Sequence, residues 1–450
     1  MIIEYLLWSY GVNPTSLYGY GFIPSFVYRE VINWVYLISD GMFKFFLVIA
    51  MIISLAFLLI ALFSLLYRYK HKEEKFILEK APFVTIQIPT RNELAAINCA
   101  NRCLDFDYPK GKFNIIIGDD SNKPEISAQL EDFASVHKGI VKIMRRAQNI
   151  GYKPGNLNNM LKGTNGEIIV IFDSDFLPPK DFLRRIVTPF IYDKNLAACQ
   201  ARWVPYNANK NLTTALGTGI TEVFHQIFLP FMSWATTSVC FCGSAEAVRK
   251  SKLNELGEWK SGCLTEDIEY SMRLYKSGNR VAYLHNLTCE CEVPQTPMDL
   301  YRQQMRWAYG VIGSIREHFW DIMKADVPFM LKTNVFFLGM GYVLTVVLFM
   351  LLIFGSISFF THPPGPIDIP LFIQETLLNI AFTSGLIFTF FIAMVKSKRF
   401  LRIPAVVAAA FSIGFVVTYY ANKGIYRVLT NGEMEWFLVK KDGNVIAQKV

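Results

Sequence analysis

Uncharged apolar runs and a mixed, patterned middle divide the chain. The first run, residues 45–66, carries no charge; at ~1.5 Å per residue a helix of that length crosses a hydrocarbon core of about 30 Å. Residues 335–360 and 376–395 form two more such runs, and residues 403–422 a fourth, weakened by Pro404 near its start. Residues 1–44 are rich in aromatics but interrupted by Glu4, Pro14, Pro24, Arg29, Glu30 and Asp40, a pattern that suits helices lying in the membrane interface better than a span. Between the first two runs the pattern changes. Residues 83–89, 113–117, 141–144 and 168–172 read as short buried strands, and residues 92–104 and 126–136 as helices between them. Strands alternating with helices predict a mainly parallel sheet covered on both faces. The expected layout is an interfacial segment (1–44), a transmembrane helix (45–67), an α/β domain (80–320), C-terminal transmembrane or interfacial helices (333–422) and a tail (423–450).

Charge orients this layout. Arg68, Lys70, Lys72 and Lys75 follow the first run, Lys324 and Lys332 precede the second, and Lys396, Lys398, Arg399 and Arg402 follow the third. The loop 361–370 has neither Lys nor Arg. Basic loops stay inside, so the 80–330 region is expected to be cytoplasmic in a multi-pass cell-membrane protein. If residues 403–422 crossed the membrane, the tail with Lys423, Arg427, Lys440 and Lys441 would lie outside, against the same rule. Those residues are therefore expected to be interfacial or re-entrant, and the tail cytoplasmic. The net charge of +8 suits contact with anionic lipid. Its dispersed basic residues hold no nucleic-acid recognition motif. The eight cysteines lie mainly in the cytoplasmic part and are expected to be reduced; Cys240-x-Cys242 and Cys289-x-Cys291 lack the spacing of usual zinc sites. Sequons at Asn211 and Asn286 are expected to be unglycosylated there.

Open sheets of this type bind ligands beyond the carboxyl ends of their strands, and the acidic residues cluster there: Asp119-Asp120 after one strand, Asp173-x-Asp175 after another. On an extended segment residues two apart point the same way, so Asp173 and Asp175 could share a hard cation with phosphate oxygens. Alone, the pair equally suits a solvated strand end. A phosphatase of the haloacid-dehalogenase type also carries D-x-D after a strand, but Phe176-Leu177-Pro178 here departs from its pattern.

Taken in order, Asp119-Asp120-Ser121, Asp173-Ser174-Asp175, Thr265-Glu266-Asp267 and Gln303-Gln304-Met305-Arg306-Trp307 resemble the signature of membrane-integrated family 2 glycosyltransferases, the group of cellulose, mannan and hyaluronan synthases. The similarity covers residues 83–320, and implies an α/β GT-A (Rossmann-like) cytoplasmic domain inserted between transmembrane α-helices. It assigns Pro89, Thr90, Arg91 and Glu93 to the first nucleotide-contacting stretch, and Asp119 and Asp120 to the base. Lys153, in Tyr152-Lys153-Pro154-Gly155, would approach the nucleotide, and Asp173 and Asp175 would hold Mg²⁺ or Mn²⁺. Gly243 and Ser244, in Phe241-Cys242-Gly243-Ser244-Ala245, would border the acceptor. Gln200-Ala201-Arg202-Trp203 and Asn207 resemble the mannan-synthase branch. By the same resemblance Asp267, with Glu266 beside it, is the general base. Gln303 and Arg306 would take the diphosphate, and Trp307 would stack on an acceptor sugar. Glu435-Trp436-Phe437-Leu438-Val439-Lys440-Lys441 resembles a mannan-synthase tail element and the cellulose-synthase gating loop, with Leu438 and Val439 departing from it.

The function expected from the resemblance is inverting, metal-dependent transfer from a nucleotide-diphospho sugar, UDP-linked by preference, to a growing β-linked polysaccharide, with translocation through the membrane helices. Transfer of one sugar to a lipid acceptor, as in ceramide glucosyltransferases, shares the same motifs and stays open. So does a scaffold that has lost catalysis. With so few spans, a wide pore would need a homo-oligomer.

Overall fold

The structure is a computed structural model that describes residues 25–66, 74–362 and 368–434. Arg68, Lys70, Lys72 and the tail element from Glu435 to Lys441 lie outside the described residues. The chain divides into two compact units. The first is formed by Met1–Ser54 with Val346–Thr383, and the second by Leu55–Thr345 with Ser384–Val450.

The second unit holds a seven-stranded mixed sheet of order β3-β2-β1-β4-β6-β5-β7. Its strands are β1 (Val84–Thr90), β2 (Phe113–Asp119), β3 (Val141–Arg145), β4 (Ile168–Ile171), β5 (Ala198–Pro205), β6 (Glu246–Arg249) and β7 (Val281–Cys291). The first four are mutually parallel, β6 is antiparallel to both neighbours, and β7 runs parallel to β5. Every residue of β1 and β4 is buried, which is why they read as unbroken apolar runs: helices cover both faces. Two polar exceptions bond to side chains: Thr85 Oγ1 donates to Asn114 Oδ1 and Gln87 Nε2 to Thr164 Oγ1. One face packs against α2 (Ala95–Leu104), α3 (Pro124–Val136) and α5 (Phe182–Tyr192), through Cys99, Leu130 and Ile186. The other packs against α4 (Tyr152–Leu161), α8 (Glu266–Lys276) and α9 (Pro297–Lys324), through Met160, Leu274 and Val311.

Residues 212–236 form α6 (Leu212–Val223) and α7 (Leu229–Thr236), joined by a π-helical turn at Phe224–Phe228. Asn211 caps α6 by accepting from Thr214 N–H, and Thr214 Oγ1 accepts from Asn211 N–H in return.

The remaining long helices are α1 (Ser25–Leu66) at the start and α10 (Asn334–Thr361), α11 (Ile369–Thr383), α12 (Gly385–Lys396) and the pair α13 (Ile403–Phe411) and α14 (Ile413–Leu429) at the end. Among the described residues, two stretches, Arg29–Leu66 and Phe329–Thr361, are long and apolar enough to cross a membrane, or up to four if each bent pair is one span. The apolar run 45–66 is thus the end of a longer helix. Its charged beginning stays helical, with Lys44 paired to Asp40 one turn away at 2.7 Å, so residues 25–44 continue the same helix. The run 376–395 is broken at Ser384 between α11 and α12, and residues 403–422 are broken at Ser412, where the pair bends by 58°. In the first unit Phe46 stacks on Phe354 and Tyr36 on His362.

Candidate active site

Because β2, β1 and β4 are parallel neighbours, their carboxyl ends deliver Asp119-Asp120, Pro89-Thr90 and the segment from Asp173 to one edge of the sheet. That edge borders an open cleft of about 1310 Å³. Most residues expected from the sequence meet in it: Pro89, Thr90, Arg91, Glu93, Asp120, Lys153, Asp173, Asp175, Gly243, Glu266, Asp267, Gln303, Arg306 and Trp307. Asp119 and Ser244 do not. Asp119 is buried behind the wall, accepting from Ser121 N–H (2.9 Å) and Ser127 Oγ (2.5 Å) and pairing with Arg145 (3.1 Å). It holds the turn that presents Asp120. Ser244 is also buried; its hydroxyl accepts from Asp173 N–H at 2.8 Å.

Asp120 makes a two-pronged pair with Arg146, one prong at 2.8 Å. Arg146 also donates to Ile150 O (2.6 Å), Asn149 Oδ1 (3.1 Å) and Tyr152 O (3.1 Å). That arginine therefore shapes the loop that ends in Lys153. At Gly151 a Cβ would fall 1.9 Å from Ser261 Oγ, and its φ is +74°, so only glycine suits this crossing. Lys153 then reaches across the cleft floor. Its ammonium meets Asp173 at 2.8 Å and Glu266 at 3.1 Å, and donates to Gly243 O at 2.6 Å. Burial disfavours the charge, but Asp173 and Glu266 outweigh it and hold Lys153 above the ordinary lysine range.

Glu266 and Asp267 open α8. Three acids in its first turn and Arg273 and Lys276 in its last complement the helix dipole, and Gly278 in the left-handed region ends it. Burial, and then the Glu266 carboxylate, push Asp267 up to about 7, with Lys153 pulling the other way. One turn along, Glu269 accepts from Arg273 and pairs with His318 of α9 at 3.1 Å. Burial opposes its ionisation, but His318 and Arg273 overcome that and hold it below the usual carboxylate range. The α8 helix is thereby fixed to the helix carrying Gln303, Arg306 and Trp307. Thr296 caps α9 and Pro297 opens it. Arg306 Nη1 donates to Leu264 O at 2.9 Å.

The cleft also contains residues the sequence did not single out. Asn149, Asn156 and Glu292 line it. Asn156 Nδ2 donates to Gly118 O at 2.8 Å, and Glu292 accepts from Tyr206. Just behind lies Glu246, whose carboxylate accepts from Gly243 N–H at 3.0 Å. It follows the quoted Phe241–Ala245 stretch by one place, but an acid opening a short strand carries no signal by itself. Arg91 Nε is buried with no acceptor among the described residues, a donor suited to an anionic ligand. Among the described residues no group of three metal-ligating side chains exists. The Asp173 and Asp175 pair nevertheless fits a hard cation shared with a diphosphate, which takes one or two carboxylates and completes its shell with phosphate oxygens and water.

A sequence profile of glycosyl transferase family group 2 matches residues 168–412. The chain belongs to this family. It is 31% identical over 262 residues to a probable glucomannan 4-β-mannosyltransferase 7 of Oryza sativa subsp. japonica, covering 56% of this chain and 44% of that protein. It is 30% identical over 268 residues to glucomannan 4-β-mannosyltransferase 2 of Arabidopsis thaliana, covering 57% of this chain and 50% of that protein. The chain spans about half the length of these plant relatives. Its GT-A fold is shared with the mannosyltransferase PcManGT of Pyrobaculum calidifontis, solved in complex with GDP-Man and Mn²⁺. That likeness has a TM-score of 0.64 at 16% identity, and covers 88% of this chain and all of the other.

Proposed function

We propose that the chain is an inverting glycosyltransferase that adds a sugar from a nucleotide-diphospho sugar to a β-linked glycan. The observation that carries this reading is Asp267: a half-buried carboxylate held near 7, in one cleft with the Asp173 and Asp175 pair and with Gln303, Arg306 and Trp307. A general base works best when its pKa lies near the working pH. The acceptor hydroxyl oxygen attacks the anomeric carbon, the bond from that carbon to the diphosphate oxygen breaks, and the hydroxyl proton passes to Asp267. The nucleoside diphosphate leaves on the opposite face, so the configuration inverts without a covalent intermediate.

Asp173 and Asp175 would hold a divalent cation, which supplies positive charge to the diphosphate leaving group when bound. Arg306 offers a planar fork of donors to the same oxygens, Gln303 adds a neutral donor, and Arg91 contributes its unpartnered Nε. Trp307 gives a flat apolar face for the acceptor sugar. Asp120, presented by Asp119, is the carboxylate left to read the base.

The names of the plant relatives make mannose the first sugar to test, ahead of the UDP-sugars expected from the sequence. The fold neighbour's GDP-Man adds a guanosine donor to the panel. Purified protein with Mn²⁺ or Mg²⁺ would be assayed for nucleotide release from GDP- and UDP-sugars, and the product sized and digested with a β-mannanase. A long, digestible polymer from a mannose donor is the expected result. Release that requires an added lipid, with a single-sugar product, would overturn the polymer reading. No release from any donor would overturn transfer itself.

A further inference from the structure

The floor of the cleft beneath Asp267 is the loop from Phe241 to Glu246, and each of its backbone polar groups described below is held by a named side chain. Ser271 Oγ accepts from Phe241 N–H (2.8 Å) and donates to Asp267 O (2.7 Å). Gln200 accepts from Cys242 N–H and donates to Ser244 O, both at 2.9 Å. Ser244 Oγ accepts from Asp173 N–H at 2.8 Å. The Gly243 peptide is clamped from both ends: Lys153 Nζ donates to its carbonyl at 2.6 Å, and the Glu246 carboxylate accepts from its N–H at 3.0 Å. Gly243 has φ +89°, and a Cβ there would lie 3.2 Å from Asp267 Oδ2 and 3.4 Å from Lys153 Nζ. A side chain there would crowd both the base and the lysine.

Every one of these clamps but Glu246 is neutral or belongs to the machinery already described. Glu246 is only 2% exposed, it does not line the cleft, and the transfer step has no use for its charge. Such a buried acid needs a reason to persist, because burying a carboxylate is costly unless it is paired or bonded. We propose that Glu246 is a positioning residue for the transfer: it holds the Gly243 peptide, and with it Lys153, against the Asp267 carboxylate. This inference rests on the reading of Asp267 as the base. It predicts that the reach and hydrogen-bonding oxygen of the side chain matter, and its negative charge does not. Burial pushes the Glu246 carboxyl well above the ordinary glutamate range despite Lys153, in keeping with that distinction.

The test compares Glu246→Gln, Glu246→Asp and Glu246→Ala in the full chain in detergent, with a mannose donor and Mn²⁺. The readouts are kcat, acceptor KM and calorimetric donor Kd. Glutamine keeps an oxygen that can accept from Gly243 N–H. Aspartate keeps the charge but is one methylene too short. A displacement of about 1 Å near reacting atoms can cost on the order of 10²-fold. The expected result is a kcat lower by roughly 10- to 100-fold in the Asp and Ala variants, with donor Kd within about threefold, and the Gln variant within about fivefold of wild type. Equal loss in Gln and Ala would overturn the inference, because charge rather than position would then be at stake. Unchanged kcat in Asp and Ala would overturn it too, as would a loss that follows donor Kd. If Ala fails to fold, the contrast between Gln and Asp decides. A wild type that turns over no donor removes the reading of the reaction and this inference with it; an active wild type beside unaffected variants removes this inference alone.

Discussion

Asp267 sits where three residue-scale effects compete: burial and Glu266 raise its pKa, and Lys153 lowers it, with a net value of about 7. Only the ionised carboxylate can take the acceptor proton. Activity should therefore fall as pH drops through about 7 and level off above it, read as the acid limb of kcat/KM against pH. Asp267→Asn cannot act as a base; kcat should fall by about 10²- to 10⁴-fold while calorimetry still detects the donor. Asp175→Asn should act on binding instead, weakening Mn²⁺-dependent donor Kd by about tenfold or more and leaving metal-free binding nearly unchanged. Much of this site was legible as short motifs, because carboxylates after strands and a Q-x-x-R-W run advertise chemistry by residue type. Asp119 and Ser244 share the same motifs yet face inward, bonded to Ser127 and to the Asp173 backbone; a motif names a neighbourhood and not which side chain opens onto it. Arg146 and Glu246 were invisible for the opposite reason, since their roles exist only through partners 26 and 3 places away.

At the scale of elements, catalysis depends on how closely α8, α9 and α14 pack. Two glycines set these distances. A Cβ at Gly310 of α9 would lie 2.3 Å from Thr265 Oγ1, at the entrance to α8, and one at Gly424 of α14 would lie 2.3 Å from the Met305 carbonyl oxygen of α9. The second obstacle is backbone, which cannot swing aside. Gly424→Ala should thus force α14 away from the helix that bears Arg306 and Trp307. Overpacking of this kind costs about 1–3 kcal/mol, so the thermal midpoint should drop together with nucleotide release, whereas Gly341→Ala, with open space around its Cβ, should leave both unchanged. Such contacts cannot be read from one chain, because a helical glycine looks the same whether it faces solvent or another backbone. Strands β1 and β4, and most of β2, were legible for the converse reason: burial on both faces makes them continuous apolar runs. The strands β5 to β7 escaped notice because β6 is four residues long and β7 alternates with exposed positions such as Asn286 and Glu290.

For the whole molecule the open question of parity, raised by the charge pattern, can be argued from where the last helices dock. Lys396, at the end of α12, donates to Ser64 O near the end of α1, at 2.6 Å. Three residues on, Arg399 donates to Pro205 O at the end of β5 and pairs with Glu222 of α6. At the far end of the bent pair, Arg316 of α9 donates to Val428 O at 2.7 Å and to Asn431. The stretch from Phe400 to Leu429 thus starts and ends on the α/β domain and bends by 58° on the way. A segment that begins and ends against the same α/β domain does not change sides. Together with the basic residues Lys423 and Arg427, this supports the expectation of a re-entrant or interfacial pair, and predicts that the C-terminal tail lies on the side of the α/β domain. A single cysteine at Val445, in a background with Cys242 and Cys263 changed to serine, should therefore be silent to a membrane-impermeant maleimide in intact cells and react once the membrane is opened. Labelling in intact cells would mean that α13 and α14 form one true span, and the hydrogen bonds at Pro205 and Val428 could not then both exist in the membrane.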